Sequence, residues 1–161
     1  MHSIIFQIST KPIAEHDFLN IDLIEAGEMA SISYVDNIDE SERELNIKHL
    51  AENILPKGMF TKSDNNTLIY NGGFNKWSKT QCDHIMTLSV QVTPSNVMKW
   101  MGPIGELKKA ITNPLGTDTL FVTEFYRGSV TAECSADLME MVSLLSKGDK
   151  LYIGTIASYH N

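Results

Sequence analysis

The sequence is poor in arginine and in long apolar runs, and each scarcity excludes a class of protein. Only two arginines occur, Arg43 and Arg127, whereas surfaces that grip phosphate groups or guanine edges are normally rich in this side chain. We therefore predict no contact with nucleic acid. Every apolar run is far too short to cross a bilayer, so we also predict no membrane association.

Cysteine is equally scarce, because Cys82 and Cys134 are the only two in the sequence. The first ten residues, MHSIIFQIST, lack the basic and long apolar segments of a secretory signal. Disulfides persist mainly in oxidising compartments. We therefore expect two free thiols and a cytoplasmic location.

The remaining composition is that of an ordinary globular domain. The 161 residues are 42% apolar and 20% charged, and a chain of this size buries roughly two-thirds of its unfolded surface. We predict one domain over residues 1–161. Residues 1–73 and 74–161 could alternatively be two half-units that share one core.

Charge is distributed unevenly along the sequence. Residues 1–56 contain three basic and eleven acidic side chains, whereas residues 57–114 contain seven lysines and three acids, within a total net charge of −7. An acidic face of one copy could meet a lysine-rich face of another, which favours a homodimer. The alternative is that both segments are solvated surface.

Local patterns predict both strands and helices. Alternating apolar and polar side chains predict a strand at residues 3–9 and a clearer one in HIMTLSVQVT, residues 84–93. Helical spacing predicts a helix over residues 13–26, and a second helix begins near Ser41, where an S-x-x-E pattern is typical of a capped start. Residues 59–70 predict a hairpin.

The second half of the sequence predicts the order strand, helix, strand, strand, helix, strand over residues 85–158. This βαββαβ order is ferredoxin-like, with an antiparallel sheet and helices packed on one face. The N-terminal half would extend that sheet or form a related second unit. The predicted fold class is α+β.

Cys82, Asp83 and His84 are consecutive and raise the question of a catalytic or metal site. On a strand, Cys82 and His84 would share one face and Asp83 would lie on the other, so the three could not converge as a triad. Zinc needs three or four ligands, and the other histidines are isolated in the sequence. We predict no metal and no cofactor, and packing at the start of a core strand for Cys82 and His84.

Aromatic side chains supply the candidates for a binding surface. Trp77 follows an Asn-Gly-Gly segment, and Trp100 precedes the helix break at Gly102-Pro103. Tyr126 and Arg127 lie at the tip of a predicted hairpin. Such residues commonly anchor a partner, although tryptophan in a chain of this size is more often part of the core.

Three functions remain open on these grounds. The first is a non-catalytic module that binds a partner protein, a second copy of itself or a small ligand. The second is a small enzyme with a cleft between the two halves, in which His84 acts as acid or base beside Cys82. The third, with the least support, is a phage or mobile-element accessory protein that binds a host protein. We favour the first, because the predicted ferredoxin-like order leaves an open sheet face, its edge strands favour pairing, and charge is segregated along the sequence.

Overall fold

A computed structural model describes residues 2–123 and 130–160, apart from the side chain of His2. Helices and strands follow each other along the chain. The strands are β1 (His2–Ser9), β2 (Glu25–Ala26), β3 (Tyr34–Asn37), β4 (Phe60–Asp64), β5 (Thr67–Tyr70), β6 (Leu120–Thr123), β7 (Thr131–Ala132) and β8 (Lys150–His160). The helices are α1 (Glu40–His49), α2 (Phe74–Ser89), α3 (Pro103–Thr112) and α4 (Ala136–Ser143). Shorter helical turns span Glu15–Asp17, Ile21–Leu23 and Leu50–Ile54.

The long strand β8 organises the main sheet. Six strands of the described residues form this sheet in the order β4-β5-β8-β1-β6, with β3 also paired to β8. On one side β8 pairs with β1, and on the other it pairs first with β5 and then with β3. The pairs are antiparallel except for β1 with β6. The predicted α+β class is confirmed, with a mostly antiparallel sheet.

Helices cover one face of this sheet. Phe6, Phe121 and Ile153 from the strands share one core with Leu50 from the turn after α1 and Leu138 from α4. The rings of Phe6 and Phe121 stack with their centroids 6.3 Å apart. The apolar pattern predicted for the first strand is correct, because its alternate residues Phe6 and Ile8 lie in this core.

The segment that follows β1 lies over the opposite face. Ile5, Leu120 and Tyr159 form a second core there with side chains of the segment before α1. Gln7 holds the segment in place, since its Oε1 accepts hydrogen bonds from the amides of Leu19 (3.1 Å) and Thr155 (2.9 Å). The short strands β2 and β7 form a separate parallel pair.

Arg43 is a buried cation that joins α1 to the sheet. Its guanidinium donates to Asn66 Oδ1 at 2.6 and 3.1 Å and to the carbonyl of Ile153 at 3.1 Å. The same group lies 5.3 Å from the centre of the Phe18 ring. Burial lowers the pKa of the Arg43 guanidinium, and the charge of Glu40 opposes this effect.

The strand predicted over residues 84–93 is wrong, because residues 84–89 belong to α2 and the following residues form turns. The apolar alternation is confined to ten residues. Over the longer window the half-buried positions Phe74, Trp77, Gln81, Ile85 and Leu88 recur at helical spacing. The ferredoxin-like βαββαβ order over residues 85–158 is therefore not confirmed, since its first strand is a helix.

The helix predicted over residues 13–26 is also wrong, since two short 3-10 turns and β2 occupy this segment. Two of its backbone amides bind partners outside the segment: Leu19 N donates to Gln7 and Glu25 N donates to the carbonyl of Val130 at 2.9 Å. The helix predicted near Ser41 is confirmed, although Asp39 is its N-cap residue. The hairpin predicted over residues 59–70 is confirmed by β4 and β5.

Both halves of the sequence contribute to the main sheet. Strands β1, β3, β4 and β5 come from residues 1–73, and β6 and β8 come from residues 74–161. The N-terminal half thus supplies four of the six strands. Among the helices of the described residues, none is both long and apolar enough to cross a membrane.

Candidate functional site

A helical hairpin follows the strands β4 and β5 in the chain. We call residues 74–112 the arm; it contains α2 and α3, which pack against each other. The side-chain amide of Gln81 ties the two helices together by donating to the carbonyl of Ala110 at 2.8 Å. At its base, Phe74 and Trp77 pack against the main core, with their ring centroids 5.5 Å apart.

The loop between the two helices, residues 90–101, is here called the arm tip. Asn96 fixes its shape, because its Oδ1 accepts from Thr93 N (2.8 Å) and its Nδ2 donates to the carbonyl of Gln91 (3.0 Å). A Cβ at Gly105 would lie 2.1 Å from the carbonyl oxygen of Trp100. Glycine at position 105 therefore allows the arm tip to fold back onto α3.

The arm tip exposes large apolar side chains to solvent. Met101 is 95% exposed, Met98 is 81% exposed and Trp100 is 65% exposed. Val90 and Val97 are exposed beside them in the sequence. Scattered exposed apolar residues are common on proteins, whereas a run of large ones on a single loop is less usual.

The arm is basic. It contains the five lysines Lys76, Lys79, Lys99, Lys108 and Lys109 against two acids, Asp83 and Glu106. The ammonium of Lys108 lies 5.1 Å from the centre of the Trp100 ring, a favourable contact of a cation with an aromatic face. That of Lys109 lies 3.1 Å from Glu106 Oε1. The exposed apolar side chains of the arm tip are therefore accompanied by positive charge.

A cleft of about 610 Å³ lies between the arm and the rest of the protein. Its lining includes Gln81, His84 and Lys109 from the arm and Met29, Asp118 and Cys134 from the facing segments. Met29 is the one lining residue that comes from the first half of the sequence. The cleft is therefore built mostly from the second half.

Helix α2 separates the three consecutive residues that suggested a catalytic or metal site. Cys82, Asp83 and His84 are all exposed, and side chains two positions apart on a helix point about 200° away from each other. His84 lines the cleft, and Cys82 does not. The prediction that Cys82 and His84 pack at the start of a core strand is thus wrong. Among the described residues no group of three His, Cys, Asp or Glu side chains could hold a metal ion.

Cys134 is the cysteine that faces the cleft, and its thiol is poorly activated. Burial raises the pKa of the Cys134 thiol, and the neighbouring charge of Glu133 adds to this effect. The Sγ atom lies 3.7 Å from the carbonyl of Met29, to which it donates. A thiol with a raised pKa stays protonated at neutral pH and is a weak nucleophile.

The aromatic candidates occupy different environments. Trp77 is a half-buried anchor at the base of the arm, whereas Trp100 is exposed at the arm tip. Tyr126 and Arg127 lie outside the described residues. Sequence reasoning missed Met98 as a surface residue.

Comparison with known proteins finds no match to the chain among protein-family models, curated proteins or solved structures.

Proposed function

We propose that this protein is a non-catalytic interaction module that binds a partner protein through its arm tip. The observation that carries the proposal is the exposure of Met98, Trp100 and Met101 on a loop held by its own hydrogen bonds. An ordered loop loses little conformational freedom when it binds, so more of the contact energy appears as affinity.

The chemistry of these side chains is typical of a protein interface. Tryptophan is enriched among the residues that contribute most to binding, and methionine adapts its unbranched side chain to irregular surfaces. Full burial of a methionine side chain is worth roughly 1.5–3 kcal/mol. At this magnitude, burial of the three tip residues would contribute about 4.5–9 kcal/mol, which is comparable with the lower part of the cost of association, about 4–15 kcal/mol.

The charge of the arm defines the partner surface. Five lysines against two acids favour an apolar hollow that acidic side chains surround. An acidic protein surface is thus the partner that the arm tip fits.

The test compares a tip variant with a matched control. Proteins captured from cell lysate are purified, and their affinity is measured for the wild type, for Trp100→Ala/Met101→Ser and for Leu144→Ser. Leu144 is 72% exposed and lies outside the arm. We expect the tip variant to bind about tenfold or more weakly and the control to bind like the wild type. Equal binding by all three proteins would contradict the proposal.

Lysate from a phage host tests the accessory-protein alternative in the same way.

The cleft supports a second candidate, a small-ligand or catalytic site in which His84 acts as acid or base. His84 lies on the arm wall of a cleft of about 610 Å³, near the charged side chains of Lys109 and Asp118 in the same lining. This volume is within the usual range for small-molecule sites. Ligand screening by NMR tests the candidate, with His84→Gln as the control. We expect a bound compound to shift the resonances of cleft residues in the wild type and not in His84→Gln. The second candidate is contradicted if no compound does so.

A further inference from the structure

The segment before α1 is strongly acidic. Between Lys11 and Arg43 the sequence has no lysine or arginine and nine carboxylates; we call residues 12–42 the acidic segment. We propose that the partner of the arm tip is a second copy of this chain, in a twofold dimer in which each arm tip lies on the acidic segment of the other copy. This inference rests on the proposed function and names its partner.

The acidic segment presents apolar side chains among its carboxylates. Leu23, Met29 and Tyr34 are exposed, and strand β3, which begins at Tyr34, contacts the turn Ile21–Leu23. Asp22 lies next to Leu23 in that turn and is exposed. This surface therefore offers what the arm tip lacks, namely negative charge around apolar contact area.

Twofold symmetry requires a patch that is complementary to itself, so both signs of charge must lie side by side on one molecule. The structure meets this requirement, because Glu28 and Met29 of the acidic segment line one pocket with Thr112 of the arm, and Met29 also lines the cleft with Lys109. The arm and the acidic segment are thus neighbours in one copy. A twofold axis near the cleft would bring each arm to the partner's acidic segment.

The charge outside the arm also restricts how two copies can meet. With the arm's five lysines and two acids removed, the chain has eight basic and eighteen acidic residues. Contacts between surfaces outside the arm therefore bring like charges together, which is unfavourable. The arm is the surface through which two copies attract each other.

The first experiment measures the mass of the wild type by light scattering, over a roughly hundredfold range of concentration and at low and high salt. We expect a dimer that dissociates on dilution and more readily at high salt, since salt screens charge attraction between exposed groups. Trp100→Ala/Met101→Ser should weaken the dimer about tenfold or more. Leu144→Ser should leave it unchanged.

The second experiment exchanges the charges. Lys99→Glu/Lys108→Glu reverses the charges at the arm tip and at its neighbour on α3. Asp22→Lys/Glu25→Lys reverses the two charges nearest Leu23 in the acidic segment; all four positions are exposed. Each variant alone places like charges at both contacts of its homodimer, so each should be monomeric. An equimolar mixture restores opposite charges at both contacts and should form a heterodimer. Circular dichroism and thermal unfolding check that both variants fold.

The outcomes separate this inference from the proposed function. A wild type that stays monomeric, a dimer that the reversed charges leave intact, or a mixture that fails to pair would each overturn the twofold dimer. Monomeric wild type that captures another acidic protein through Trp100 and Met101 would leave the proposed function standing. Binding to anionic vesicles in place of protein would overturn both.

Discussion

Replacement of Arg43 by methionine tests whether the buried guanidinium stabilises the fold. Arg43→Met keeps an unbranched side chain of similar reach and removes the donors to Asn66 Oδ1 and to the carbonyl of Ile153. Hydrogen bonds to a charged group are worth about 1.5–3 kcal/mol each. Asn66 is exposed and Ile153 is buried, so the bond to Ile153 should contribute the larger part.

Two effects oppose this loss. Desolvation of the guanidinium, which lowers the pKa of Arg43, disappears in the variant, and the methionine gains apolar burial. We therefore expect a net loss of about 2 kcal/mol in the free energy of unfolding. With a urea dependence of about 2 kcal/mol per molar, the unfolding midpoint should fall by about 1 M.

The control is Lys62→Met, which removes the 2.9 Å contact of Lys62 with Glu44. An ion pair at the surface is worth below about 1 kcal/mol, so the midpoint should move by less than about 0.5 M. An unchanged or higher midpoint for Arg43→Met would refute the reasoning, because it would mean that desolvation costs as much as the hydrogen bonds return. A double-mutant cycle with Asn66→Ala then measures the coupling between the two side chains.

Three further predictions concern acid, thiols and a glycine. A hydrogen bond from a backbone amide of α1 lowers the pKa of Asp39; the stability from this carboxylate is present above its unfolded pKa and is lost as pH falls through its folded pKa. Asp39→Asn retains the cap, so in this variant the urea midpoint should fall less as the pH is lowered into the acid range. A fall equal to that of the wild type would contradict this. Cys82 is exposed, whereas burial raises the pKa of Cys134. A thiol reagent should therefore label Cys82 about tenfold or more faster than Cys134 in the native protein at neutral pH, and the two should react equally in denaturant. Equal rates in the native protein would contradict this prediction. A Cβ at Gly154 would lie 2.2 Å from Gln7 Oε1, so Gly154→Ala should cost about 1–3 kcal/mol by urea unfolding. The same substitution should cost less in a Gln7→Ala background, where the clashing side chain is absent. An equal cost in both backgrounds would place the strain elsewhere.

Elements with strong local signals were predictable from the sequence. The alternation around Phe6 describes a strand with one face in each core, and the polar residues between β4 and β5 describe a hairpin. Helix α1 has a capping box and a proline beyond its end. In each case the information lies within ten or so residues of the element.

Elements whose conformation depends on distant partners were not predictable. The segment after β1 has helical spacing, yet Gln7 and Val130 take the hydrogen bonds of its amides. Helix α2 has a short alternating stretch that competes with its longer helical period. Tertiary contacts determine the conformation of the segment after β1. For α2, the helical period becomes visible only when periodicity is read over a longer stretch of sequence.

The candidate site was only partly predictable for the same reason. Trp100 and His84 were candidates from residue type alone, and both lie where a ligand or partner can reach them. Met29 and Cys134 are remote in sequence and come together on the wall that faces the arm only in the folded chain. No local pattern could have joined them to His84.

The position of β8 has a consequence for the order in which the chain folds. Strands β1, β3 and β5 all pair with β8 and all precede it in the sequence. While the chain leaves the ribosome, the edges of these strands that pair with β8 therefore remain without their partner until residues 150–160 are synthesised. Closure of loops this long is slow, because the entropy of the intervening chain is lost before the contacts form. The unfinished sheet would be the stage at which the nascent protein is most exposed to aggregation and most dependent on chaperones.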